Sequence, residues 1–142
     1  MNSESSNDGV QLSGPDNTFP RREKLKHRKS IQYLFEKGSS FSAFPIRLIY
    51  LVQPAMPQED VAKFSVSVSK RNFSKAVDRN QIKRKVREAY RLHKRPLLSF
   101  CSDKKLSLHM MWIFTGKEKI EYKRIESQVA LLIRRLIDRI SK

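Results

Sequence analysis

Apolar and polar positions along the chain follow two different periods, and the switches between them mark its elements. Ile31, Leu34 and Phe35 recur at i, i+3 and i+4 with Gly38 behind them, which predicts a short helix and its stop. Ser39–Phe44 reads as a short edge strand broken by Pro45. Ile46–Gln53 follows as a strand with Ile46, Leu48, Tyr50 and Val52 on one face. The prolines and acids of Pro54–Asp60 predict a loop. Val61–Ser69 alternates most cleanly, with Phe64, Val66 and Val68 on one side and Ser65, Ser67 and Ser69 on the other. Small hydroxyl residues leave space beside them. Alternation alone fits the floor of a groove and a plain solvent face equally well.

The period changes to that of a helix over residues 76–91. Ile82, Val86, Ala89 and Tyr90 fall within roughly 100° of each other, the width of a core-facing stripe. Arg79, Asn80, Lys83, Arg84, Arg87 and Arg91 fill the next arc, about 140° wide, with no acid among them. Like charges at i,i+4 repel by a few tenths of a kcal/mol, so the column Arg79, Lys83, Arg87, Arg91 implies a polyanion that offsets the cost. The alternative is a merely basic solvated helix, although such helices usually mix signs along a face. Ser74 is a predicted cap, and the helix should end before Pro96.

Leu106–Phe114 is nearly all apolar, as in a strand buried on both faces. Gly116 breaks the chain, and Ile125, Val129, Leu132, Ile133, Leu136, Ile137 and Ile140 then form the core stripe of a last helix. The expected fold is α+β, a single-domain sandwich in the order αβββαβα. Its helices should lie mainly on one face of one sheet, with a groove where the basic helix meets it.

Composition sharpens the partner. The 142 residues carry a formal net charge of +16, which favours nucleic acid or an acidic membrane surface. The charge is uneven: residues 1–20 hold acids but no Lys or Arg, and residues 70–95 hold eleven Lys or Arg against Asp78 and Glu88. Residues 1–20 have too few large apolar groups to offset ordering entropy and read as a disordered tail, leaving 21–142 as the domain. Residues 21–29 form a basic lead-in. The single cysteine, Cys101, has no disulfide partner and no zinc-site spacing. Without a membrane span or signal peptide the expected location is the cytoplasm.

Catalytic chemistry is hard to assemble from these residues. Glu59, Asp60, Asp78, Asp103 and Asp138 are scattered, whereas a metal-dependent nuclease clusters its carboxylates. Asp78 suits the helix dipole, and His27, His93 and His109 fall in different elements. No catalytic residue and no metal site is expected in the protein itself.

Ala76-Val77-x-Arg79-Asn80-x-x-Lys83-Arg84-x-x-Arg87-Glu88-Ala89-Tyr90-Arg91, preceded by Phe64–Arg71, resembles the signature of the bacterial ribonuclease P protein subunit. The likeness takes in Ile31–Gly38 and Leu48–Leu51 and covers roughly residues 21–137. Gln81 stands for the usual third residue of Arg-Asn-Arg, and Ile31 for the first of two aromatics on the first helix. Asn72–Lys75 replaces a turn that commonly holds Gly.

The resemblance implies a ribosomal protein S5 domain 2-like fold with a left-handed βαβ crossover. It further implies a non-catalytic subunit of an endoribonuclease that removes the 5′ leader of precursor tRNA, with the chemistry in an RNA subunit that holds Mg²⁺. The partners would be that catalytic RNA and the leader, with no membrane and no small-molecule substrate. Arg79, Lys83, Arg84, Arg87 and Arg91 are then expected on the RNA backbone, since arginine forks phosphate and lysine supplies a point charge. Asn80 would bond a phosphate or ribose, or anchor a neighbouring loop.

Phe35 and Tyr50 match the family's aromatic cleft positions, with Ile31 offering apolar contact beside them. Helical spacing alone equally fits Phe35 as core. Ser65 and Ser67 would floor the groove, and Lys70 and Arg71 would line its rim. The competing readings are a structural or ribosomal-type RNA binder, a DNA-binding module and an anionic-membrane binder. The last two lack a helix-turn-helix or zinc pattern and a large exposed apolar face, respectively.

Overall fold

The computed structural model describes residues 28–55 and 61–142. The acidic tail, most of the basic lead-in with His27, and the loop acids Glu59 and Asp60 lie outside the described residues. The elements are α1 (Arg28–Lys37), β1 (Ser39–Ala43), β2 (Ile46–Pro54), β3 (Ala62–Val68), α2 (Ala76–His93), α3 (Arg95–Asp103), β4 (Leu106–Phe114) and α4 (Tyr122–Ile140). The expected order is present with one addition, α3. Pro96 both ends α2 and sits in the first turn of α3, where its fixed φ and missing N–H are tolerated. Leu97 and Cys101, one turn apart on α3, are fully buried.

The sheet order is β1-β2-β4-β3, with β3 parallel to β4 and the other pairs antiparallel. A parallel pair needs a crossover, and α2 with α3 provides it. On one face Ile46, Leu48, Phe64, Met110 and Trp112 pack with Ile82, Val86 and Tyr90 of α2 and Ile125, Val129 and Leu132 of α4. On the other, Leu34 of α1 packs on Ile49 and Met111. The central strand β4 is therefore covered from both sides, which explains its unbroken apolar run. Gly38 joins α1 to β1 where a Cβ would fall 2.5 Å from the Leu34 carbonyl oxygen and 2.8 Å from that of Tyr50.

α2 closes onto one face of the sheet through filled core. The open part of the sheet lies on the opposite face, where α1 packs on β2 and β4 and leaves Lys63, Ser65 and Ser67 of β3 half-buried. Ser74 does not cap α2: Lys75 occupies the cap position without a side-chain bond. The turn is instead held by Arg79, whose Nη1 donates to the carbonyls of Phe73 at 2.8 Å and Ser74 at 2.9 Å. Among the described residues no helix is long and apolar enough to cross a membrane.

Candidate nucleic-acid interface

The inner stripe of α2 is buried as its periodicity requires: Ile82, Val86, Ala89 and Tyr90. The flank towards α4 is tied down by local charge. Lys119 Nζ lies 2.8 Å from Asp78, whose carboxyl is held below its usual range by that bond. Lys85 Nζ donates to the Ile120 carbonyl at 3.2 Å. His93 Nε2 lies 3.0 Å from Glu126 of α4.

The basic arc faces the other way, and its two ends are occupied within the protein. Arg79 holds the preceding turn through its Nη1. Arg91 makes a forked contact to Glu88, Nη2 at 2.7 Å and Nε at 3.0 Å. Glu88 therefore offsets the last member of a column that periodicity left unopposed. That bond lowers the pKa of Glu88 and raises that of Arg91.

The middle of the arc is different. Lys83, Arg84 and Arg87 have no ion pair or side-chain hydrogen bond among the described residues. Burial, and then the guanidinium of Arg84, push the pKa of Arg87 down. An anion placed there relieves both effects. Asn80 is exposed and its amide has no partner among the described residues, so it does not anchor a loop. Gln81 is exposed.

The second candidate surface is the open sheet face. Strand register lays out its rows: Ser42, Arg47, Ile113 and Ser67; then Ser40, Ile49, Met111 and Ser65; then Leu51, His109 and Lys63. α1 covers the apolar middle through Leu34, with Ile31 half-buried beside it. Phe35 is 51% exposed, so it is not core, and its ring is open to a ligand. Ile31, Phe35, Ser65 and Ser67 thus belong to the same side of the sheet.

Tyr50 does not. It shares parity with the buried Leu48, packs with the α4-side core, and meets Phe41 edge-on at 5.9 Å and 80°. Its neighbour Ile49 takes the α1 side, buried against Leu34 and Met111. Lys70 and Arg71 are exposed in the turn after β3, where the Arg71 N–H donates to Ser69 Oγ at 3.0 Å. They stand between the open sheet face and α2.

Two cations on the open face were missed in the sequence, Arg47 and Lys63. Strand alternation held the signal, since both sit at odd positions opposite the apolar row. Arg47 Nη2 donates to Ser40 Oγ at 3.2 Å on the exposed β1 side. Among the described residues no three His, Cys, Asp or Glu side chains gather as a metal site. What the surface offers is a run of unopposed cations on α2 and, on the other side of the sheet, a hydroxyl-bearing face with an exposed aromatic ring.

Residues 19–137 match the family model Ribonuclease P. The chain belongs to the ribonuclease P protein family. It is similar to the ribonuclease P protein component of Porphyromonas gingivalis, 32% identical over 109 residues, covering 75% of this chain and 77% of that protein. It is 34% identical over 124 residues to that of Petrotoga mobilis, covering 84% and 95%. In fold it matches an RNase P protein from Staphylococcus aureus at TM-score 0.62, with 21% identity over 80% of this chain and 94% of that one. It also matches the RNase P protein of Thermotoga maritima at TM-score 0.60, with 20% identity over 80% and 96%. The four-stranded sheet and its helices are thus the ribonuclease P protein fold, with the Arg79–Arg91 arc on the crossover helix.

Proposed function

We propose that this chain is the protein subunit of ribonuclease P, binding the catalytic RNA through α2 and the 5′ leader of precursor tRNA on the open sheet face. The observation that carries the reading is the trio Lys83, Arg84 and Arg87, cationic, adjacent and unopposed among the described residues. Phosphates answer that repulsion, and arginine forks fit two phosphate oxygens at once. Lys70 and Arg71 continue the positive track towards Ser65 and Ser67, and Phe35 offers a face on which a leader base stacks.

In this reading the RNA performs the hydrolysis with Mg²⁺ that it holds, and the protein supplies position and charge. It works in the cytoplasm, where precursor tRNA is made. The decisive experiment is reconstitution with the ribonuclease P RNA and a precursor tRNA at low Mg²⁺. The subunit should restore 5′ processing there and cleave nothing alone. Sequencing of RNA that copurifies with the protein should return the ribonuclease P RNA; ribosomal RNA in its place would favour a structural RNA binder.

A further inference from the structure

A second basic surface lies at the edge of the sheet opposite α2. α4 packs over β1 and β2, whereas α2 packs over β3, so their outer flanks leave the molecule from opposite edges. Two contacts fix α4 to the β1 edge. Gln128 Nε2 donates to the Phe44 carbonyl at 2.7 Å, and the Arg139 guanidinium lies 4.4 Å over the Phe41 ring.

Helical geometry puts Arg124 and Arg135 within roughly 60° of those two residues, on the same flank. Both are exposed, and neither side chain has an ion pair or hydrogen bond among the described residues. Phe44, beside Gln128, is 60% exposed. Glu126 is turned towards α2 and paired with His93, while Glu121 and Asp138, the i,i+3 neighbours of Arg124 and Arg135, form no ion pair with them among the described residues.

A solvated helix face normally pairs its charges, as α2 does through Asp78–Lys119 on the flank towards α4 and through Glu88–Arg91 at the end of its basic arc. Here Arg124, Arg135 and Arg139 share one flank without an ion pair among the described residues, at the sheet edge that also carries the exposed Phe44. Arginine forks hold phosphates, and an open ring can stack a base. We propose that Arg124, Arg135, Arg139 and Phe44 form a second RNA-contact surface, so that one subunit bridges two RNA segments from opposite edges of its sheet. Four strands separate the two surfaces, about 14 Å of sheet before side chains are added. The proposal rests on the RNA-binding reading of α2 and adds a second site to it.

A tethered cleavage probe tests both surfaces in one holoenzyme. Cys101 is fully buried and its thiol is pushed up to about 11, so a new surface cysteine is the reactive one. Iron–EDTA attached through Ser127→Cys on α4, or Gln81→Cys on α2, should cut RNA at two different segments. Labelling the catalytic RNA and the precursor tRNA in turn identifies which RNA lies on the β1 edge. Cutting from position 81 with none from position 127 overturns the proposal and spares the reading of α2. Silence from both removes the foundation of both.

Independently, the double variant R124E/R135E should lower RNA affinity about tenfold and reduce the log–log salt slope by about 1.4–1.8, with the circular dichroism spectrum unchanged. Unchanged affinity and slope would overturn the second surface.

Discussion

The rings of Phe64 and Tyr90 lie 4.4 Å apart at an interplanar angle of 26°, joining the middle of β3 to the last turns of α2. The stack ties the strand that carries Ser65 and Ser67 to the helix that carries the basic arc. Phe64 stands between Lys63 and Ser65 on its strand, and Tyr90 follows Arg87 by less than a turn. Both rings are almost fully buried, at 2% and 0% exposure. Tyr90→Ala should therefore cost about 3–5 kcal/mol of stability in urea denaturation. A double-mutant cycle with Phe64→Ala should return a coupling of about 0.5–1.5 kcal/mol. A coupling of zero would mean that the rings merely fill space independently.

Affinity for the catalytic RNA should concentrate in the middle of the basic arc. Arg84→Ala or Arg87→Ala should weaken binding and flatten the salt dependence by about 0.7–0.9 in log–log slope for each phosphate left without its cation. Gln81→Ala should change the slope little. Equal damage from Gln81→Ala and Arg87→Ala would refute the assigned orientation of α2.

The two ends of the arc should respond differently from its middle. Arg79 bonds the carbonyls of Phe73 and Ser74, so Arg79→Ala should lower stability by about 1–3 kcal/mol and remove any RNA contact as well. Arg91 already faces Glu88, so Arg91→Ala should cost less RNA affinity than Arg87→Ala. Glu88→Gln should strengthen RNA binding by freeing Arg91. A titration that found Glu88→Gln weaker than the parent would show that the pair orients Arg91 for its ligand.

Most of this architecture is legible in residue spacing because burial imposes period. The stripe Ile82, Val86, Ala89 and Tyr90 and the apolar β4 run follow from the need to cover a sheet on one or both faces. α3 escaped because a nine-residue helix interrupted by a proline in its first turn shows too short a pattern, although Leu97 and Cys101 at i,i+4 were its trace. The side of the sheet that stays open could not be read, since alternation says which residues share a face and not which helix covers it. Tyr50 shows the limit from the other direction. Its family position suggested a cleft, while its parity with Leu48 already placed it on the α4 side.

Cys101 should behave as a core residue. Burial raises its thiol from 9.0 to about 11, so folding favours the protonated form. The stability this contributes is fully present below pH 9 and is lost as pH rises from about 9 to 11. Alkylation by iodoacetamide at pH 8 should be slow in the native protein and fast in denaturant. Rapid native-state alkylation would show that α3 opens readily.

The open sheet face should discriminate precursor from mature tRNA, and Phe35 and Tyr50 should separate cleanly in that assay. Phe35 is 51% exposed on the helix that packs over this face. Phe35→Ala should lower affinity for precursor tRNA by about 1–3 kcal/mol, the scale of one base stack, with mature tRNA unaffected. The exposed ring adds little to native packing, so thermal stability should hold. Tyr50 faces the other layer and packs edge-on against Phe41, so Tyr50→Ala should lower stability while leaving the precursor-to-mature ratio intact. The reverse pattern, with Tyr50→Ala erasing leader discrimination at full stability and Phe35→Ala leaving it untouched, would place the leader on the α4 side of the sheet and refute the assignment of the open face.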